Sequence, residues 1–224
     1  YDEDTLFGIS LQDSVSGELV INDDQAGVRT QFYNFRTDYG ADINGTPLAN
    51  AITPEQMQRA REIFQIYGDL LGIQFVETDS QGLTIAVGDL REGGWCCDTG
   101  PGGVLARAGW NSNGQPLAIL DAAEIWDDAF GFSHDPTTMV SWFQEGMSAI
   151  GRLIGIGFSS ELPPLTLSAG NTFGENALEF ADAGPVEPIF PGDHDVVHGQ
   201  HILRPESRDI DIYRFELSSN GKFA

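Results

Sequence analysis

The sequence predicts an α/β (α+β) fold: a twisted mixed sheet with two main helices, then the first strands of a β-sandwich module. Three observations carry this. Two stretches, near 53–71 and 135–154, start with capping residues and repeat apolar positions at helical spacing. Short β-branched or alternating runs lie before and between them, bounded by Gly, Asn and Asp. A strictly alternating run at 209–217 follows a Pro-punctuated stretch and opens something new.

In chain order, residues 17–21 and 28–35 read as strands, broken by Asn22-Asp23-Asp24 and by Asp42-Ile43-Asn44-Gly45. Thr53 caps the first helix, Pro54 takes its first position, and Gln56 stands where a capping-box partner belongs. Met57, Ala60, Phe64, Tyr67 and Leu71 form its core stripe, and Gly72 ends it. Residues 73–77 and 83–87 read as two strands. A Gly-rich stretch follows from 88 to 117, with Val104 to Ala108 a short strand and Leu117 to Leu120 another, ending at Asp121. Asp135 and Pro136 are expected to start the second helix. Its stripe is Val140, Phe143, Met147, Ile150 and Ile154, and Gly155 and Gly157 stop it. Pro185, Pro188 and Pro191 mark a linker. The expected division is a domain at 1–182, then a linker and the first strands of a C-terminal β module at 183–224.

Composition narrows the function. Acidic residues number 34 against 11 basic ones, a net charge of -23. That charge repels nucleic acid and anionic membrane surfaces, and it favours hydrated acidic surface or acidic calcium sites. No run of 18 apolar residues exists, so no membrane insertion is expected. Cys96 and Cys97 are adjacent and cannot close an ordinary long loop; a vicinal disulfide, a bond to another chain and free thiols all stay open. The start at Tyr1, without Met or a signal-like segment, reads as processed or excised.

Three further stretches carry chemistry. The first is Asp98-Thr99-Gly100-Pro101-Gly102-Gly103-Val104-Leu105-Ala106-Arg107-Ala108. The second is Leu120-Asp121-Ala122-Ala123-Glu124-Ile125-Trp126. The third is Ser148-Ala149-Ile150-Gly151-Arg152-Leu153-Ile154-Gly155-Ile156-Gly157-Phe158-Ser159. Their residues and their order, together with the first helix and the strand after it, resemble the metzincin zinc proteases, most closely the matrixins. The match covers most of residues 30–165. The family's active helix reads His-Glu-x-Gly-His-x-x-Gly-x-x-His. Bacterial members with His-Glu-Ile-Gly-His-Ala-Ile-Gly-Leu-Gly-His-Ser align without a gap. On that alignment the ligand histidines fall on Ser148, Arg152 and Phe158, and the general base falls on Ala149.

The resemblance therefore implies a metzincin-like fold without its zinc chemistry. A neutral hydroxyl, a fixed guanidinium and a phenyl ring do not replace three imidazoles, and a methyl group takes no proton. Zinc is not expected as a cofactor. Glu145, one turn earlier, is expected to be an exposed helical carboxylate. The family's structural zinc histidines fall on Arg107 and Ile119, so that site is expected to be gone. Its structural calcium ligands fall on Asp98, Asp121 and Glu124, all still hard oxygen donors. Val104, Leu105 and Ala106 would belong to an edge strand able to pair with an extended peptide.

His194, His198 and His201 are spaced suggestively for a metal. With no helix signal around them and Gly199 between, they are expected to be surface or linker histidines. Asp193, Asp195, Asp209 and Asp211 are a weaker calcium candidate at the domain junction. The segment Asp209 to Phe215 is similar to the start of the pre-peptidase C-terminal β domains of secreted bacterial proteases. Three expectations follow. One is a non-catalytic, calcium-stabilised structural or protein-interaction module of a secreted or surface protein, with a protein or peptide partner. Another is an active zinc metalloendopeptidase with relocated ligands, for instance His194, His198 and His201. The third is a carbohydrate- or matrix-binding module using Trp95 and Trp110.

Overall fold

The computed structural model describes residues 29–94, 100–131, 140–156 and 190–203. It has mixed α and β content. Five strands form one sheet in the order β4 (Gln74–Glu77), β1 (Thr30–Asn34), β5 (Leu83–Gly88), β7 (Pro116–Asp121), β6 (Ala106–Trp110). The first four run parallel, and β6 pairs antiparallel with β7. Strands β2 (Asp38–Ala41) and β3 (Pro47–Ala49) make a separate hairpin around the expected Asp42–Gly45 turn. There the Asp42 carboxylate accepts the backbone N–H groups of Asn44 and Thr46, each at 2.8 Å.

The sheet is covered on both faces, which accounts for the continuous apolar run Leu83 to Val87 in its central strand. Ile85, Val87, Ala118 and Leu120 join the larger core beneath the helices. Ala86, Leu117 and Ile119 point the other way, to a smaller core with Tyr39 and Leu90. The period of 2 along each strand sorts its residues between these two cores.

Helix α1 (Pro54–Leu71) forms as its local chemistry dictates. Thr53 accepts the Gln56 N–H at 3.2 Å, the Gln56 side chain accepts the Thr53 N–H at 3.0 Å, and Gly72 closes the helix in the left-handed region. Ala60, Phe64, Tyr67 and Leu71 are buried as expected, with Met57 half-buried at the margin. Asn50, just before the helix, ties the segment to the sheet. Its amide donates to Arg36 O and Ile85 O and accepts from Val87 N and Ile52 N.

Helix α2 (Trp142–Leu153) differs from expectation at its start. Val140 and Ser141 form a short strand, β9, paired in parallel with β8 (Trp126–Asp127). The pairing holds these two residues extended, so Ser141 is the cap and accepts the Gln144 N–H at 3.2 Å. Asp135 and Pro136 lie outside the described residues. Ile154 caps the other end and is buried in the larger core as expected, and Gly155 follows with φ 104°. Phe143, Met147 and Ile150 are buried as expected.

A third helix, α3 (Asp193–Leu203), occupies residues expected to be linker. It packs on α1 and places Leu203 in the larger core. The expectation that Gly199 would break a helical face is corrected here. An added Cβ at Gly199 would lie 2.6 Å from a Leu71 methyl, so the missing side chain is what admits the helix against α1. The strand expected at 209–217 and the residues before Arg29 lie outside the described residues.

Candidate functional site

Helix α2 holds three of the four positions singled out by the resemblance, Ser148, Ala149 and Arg152. Ser148 and Ala149 are buried and Arg152 is half-buried. At 100° per residue, Ser148 and Arg152 share one side of the helix with Glu145. The opposite side meets α1: the Tyr67 hydroxyl donates to Met147 O at 2.8 Å, and a Cβ at Gly151 would lie 2.4 Å from that hydroxyl. Phe158 lies outside the described residues.

The expectation for Glu145 is overturned. It is buried, at 8% exposure. Burial pushes its carboxyl up to about 7, against a smaller opposing pull from the Arg152 charge. The sequence carried a sign of this. Residues 142, 143, 146, 147, 149 and 150 are all apolar or Gly, so little of this helix is left for water.

The Gly-rich loop and the turn after β7 bring two expected calcium ligands together. Asp121 is 2% exposed. Its Oδ1 accepts the Ala123 N–H at 2.8 Å, while Oδ2 is buried with no hydrogen-bond partner. Burial raises its carboxyl above the usual range. The neighbouring charges of Glu124 and Asp89 add to the rise, the Ala123 bond and Arg91 oppose it. Glu124 reaches back to the loop and accepts the Gly102 N–H at 2.7 Å. Asp98, with Cys96 and Cys97, lies outside the described residues. Among the described residues no group of three metal-binding side chains occurs. The donor set of Asp121 and Glu124 is of the kind a hard cation takes: each carboxylate accepts one backbone N–H of its turn or loop, and one buried Asp121 oxygen is left without a donor.

Arg107 and Ile119 are the positions that the resemblance matches to structural-zinc histidines. Arg107 and Ile119 face each other across β6 and β7. Ile119 is fully buried in the smaller core. Arg107 donates to Glu92 O at 2.9 Å and Trp110 O at 3.2 Å, and pairs with the Glu92 carboxylate at 3.5 Å. Glu92 is fully buried and also accepts the Ser112 N–H and Oγ–H at 2.9 and 2.6 Å. Sequence reasoning missed Glu92, which shows no local signal of burial.

The peptide-pairing edge is corrected in extent. The strand begins at Ala106, not Val104, and continues to Trp110. Val104 packs against the smaller core, and Leu105 spends its carbonyl on the Asp121 N–H at 2.8 Å. Within the described sheet β6 is nonetheless an edge strand, and α2 packs beneath it. Helix α3 puts His194, His198 and His201 at i, i+4 and i+7. His198 is buried beside fully buried Asp195, whose Oδ2 accepts the Gly192 N–H at 2.8 Å. Burial, with the Asp195 charge, holds the Tyr67 hydroxyl well above its ordinary pKa.

An open hollow of about 470 Å³ between α1 and β4 is lined by Tyr33, Arg61, Phe64, Asp69 and Phe75. Arg61 is committed there to Glu77 through two bonds at 2.7 and 3.0 Å. Among the described residues no helix is long and apolar enough to cross a membrane. No protein-family model matches the chain, and no curated protein is significantly similar to it.

Proposed function

We propose that the chain is a non-catalytic, matrixin-like interaction module of a secreted or surface protein, stabilised by calcium and binding a protein or peptide along β6. One observation carries the reading: α2, which packs against the edge strand β6, carries Glu145, Ser148 and Arg152 on one side with Ala149 beside them, and the resemblance matches Ser148, Ala149 and Arg152 to zinc-ligand and general-base positions. None of these is an imidazole, and the one carboxylate stands a turn away from the base position. The partnerless Asp121 oxygen supports calcium held by Asp121 and Glu124, with Asp98 as the third carboxylate. The ion would neutralise charge that the turn otherwise carries at a cost.

The alternative, a zinc endopeptidase with relocated ligands, draws support from α3. A helix, unlike a loop, sets His194, His198 and His201 on one side. Metal analysis of the purified protein with a peptide-cleavage assay separates the two readings. Calcium without zinc and without cleavage is expected. Stoichiometric zinc with chelator-sensitive cleavage overturns the proposal.

A further inference from the structure

The five-stranded sheet has two edges. Strand β6 is one and β4 is the other. Gln74 and Thr78 give their N–H groups to Arg29 O and Tyr33 O, at 2.7 and 2.8 Å, which fixes the side of β4 that faces β1. Backbone groups alternate along a strand. The N–H and C=O groups of Phe75 and Glu77 therefore point away from β1, where no described strand pairs with them. The hollow of about 470 Å³ lies beside this edge. Phe75 lines it from the strand, and Gln65, Gly68 and Asp69 line it from one flank of α1. Its floor is aromatic: the Phe64 ring centre is 4.9 Å from that of Phe75 and 4.0 Å from that of Tyr33. The charges around it are unequally committed. Arg61 is held by Glu77, whereas exposed Asp69 forms no hydrogen bond or ion pair among the described residues.

We propose that this edge is a second binding site, for a basic extended segment of a partner protein that adds to β4 and places a Lys or Arg side chain in the hollow. The Phe75 and Glu77 backbone groups supply the ladder. In an antiparallel pairing, the residue opposite Phe75 has its Cβ about 5 Å from that of Phe75 and on the same face of the sheet. That face is the one α1 covers, because Phe75 meets Phe64 of α1 there. The methylene stem of the added side chain lies on the Phe75 ring, and its cationic head reaches the Asp69 carboxylate at the rim. An acidic side chain meets Asp69 with like charge, so the site selects by exclusion as well as attraction. Charge also decides where the segment comes from. The first 28 residues of this chain hold seven Asp and Glu and no Lys or Arg, which fits them poorly to Asp69. The net charge of -23 draws basic partners from a distance. The site is at the other end of the sheet from β6 and does not depend on what β6 binds.

The experiment is selection of phage-displayed random octapeptides on the full chain, followed by fluorescence anisotropy and amide hydrogen exchange with the selected peptides. Asp69→Asn and Asp69→Lys are the test variants. Asp38→Asn, the same charge change at an exposed site outside the hollow, is the control. Unfolding curves establish that all four proteins are folded. Peptides that share Lys or Arg at one position are expected. They should bind Asp69→Asn about fivefold more weakly, the worth of an exposed ion pair. They should bind Asp69→Lys more weakly still, and Asp38→Asn as they bind the native chain. Binding should slow exchange of the Phe75 and Glu77 amides. Equal binding to the native chain and both Asp69 variants overturns the proposal, as does recovery of neutral peptides alone or of none. Protection confined to Ala106–Trp110 overturns it too and leaves the β6 reading intact. Protection of Phe75 and Glu77 in the free chain that rises with its concentration assigns the edge to a second copy, which also overturns it.

Discussion

Replacing Glu145 by Gln should make the protein more stable, by an amount that grows as pH rises from about 4.5 to 7 and then levels off. The carboxyl is ordinarily at 4.5 and is raised to about 7 in the folded chain, where it is buried. Because the folded state holds this proton more tightly, its contribution is fully present below pH 4.5. It is lost as pH rises through 7 and the loss is complete above that. At about 1.4 kcal/mol per pH unit, the ionised carboxyl costs the native state about 3 kcal/mol at pH 8.5. Gln keeps the shape and never ionises. At pH 5 the variant's advantage should therefore be less than about 1 kcal/mol, give or take the hydrogen-bonding difference of an amide. At pH 8.5 the variant should melt higher by roughly 6–12 °C, at about 2–4 °C per kcal/mol for a chain of this size. Thermal unfolding at half-unit pH steps from 5 to 8.5, with native and variant compared at each step, isolates this residue from the other carboxyls. The lowered carboxyls of Asp42, Glu77 and Asp89 titrate below this window and cancel in the difference. A difference in melting temperature that stays flat across the range would refute the reasoning, because it would mean that Glu145 keeps its charge, or loses it, throughout.

Arg107→Ala should destabilise by about 3–5 kcal/mol, since it strands the fully buried Glu92 carboxylate; Arg107→Ala with Glu92→Gln should recover much of that loss in denaturant titrations. Gly82→Ala should give little or no folded protein, because its Cβ would lie 1.9 Å from Phe32 O at φ 81°. Gly45→Ala, at φ 83° with nothing nearby, should cost only about 1–2 kcal/mol; comparable soluble yields and melting temperatures for the two would contradict the placement of Gly82 against β1. Calcium should raise the melting temperature of the native chain and leave Asp121→Asn unmoved, and a chelator should erase the difference for the native chain alone. In chelator the Asn variant should be the more stable near neutral pH, because the raised Asp121 carboxyl loses stability as pH climbs through its folded value.

What could be read in advance was what short-range chemistry decides. The capping box at Thr53 and Gln56 and the Gly72 stop involve residues within a few positions of one another, and α1 sits where they put it. The strands at 74–77 and 83–88 follow from β-branched runs between turns. The misplacements all trace to partners distant in sequence. The ladder with Trp126 and Asp127 holds Val140 and Ser141 extended and delays α2. The pairing of β6 with β7 runs from Ala106–Leu120 to Trp110–Pro116 across the Asn111–Gln115 turn, which moves the strand two residues on. Helix α3 has few favourable local features and owes its place to the gap that Gly199 leaves for Leu71. The same division runs through the site. The turn that joins Asp121 to Ala123 spans three residues and is local. The Arg107–Glu92 pair, fifteen residues apart, forms only where the fold brings β6 against the Glu92 turn.

The bond from Tyr67 to Met147 has a mechanical meaning. In a zinc protease, a metal ion pins the active helix to the segment beyond its glycine turn. Here a phenol on α1 reaches a carbonyl near the middle of α2, and Gly151 clears the space for it. A helix gripped at one point of its circumference cannot roll without breaking that grip. The bond therefore acts as an index pin. It sets the angle at which α2 presents Glu145, Ser148 and Arg152, and it does so from the side of the helix away from them.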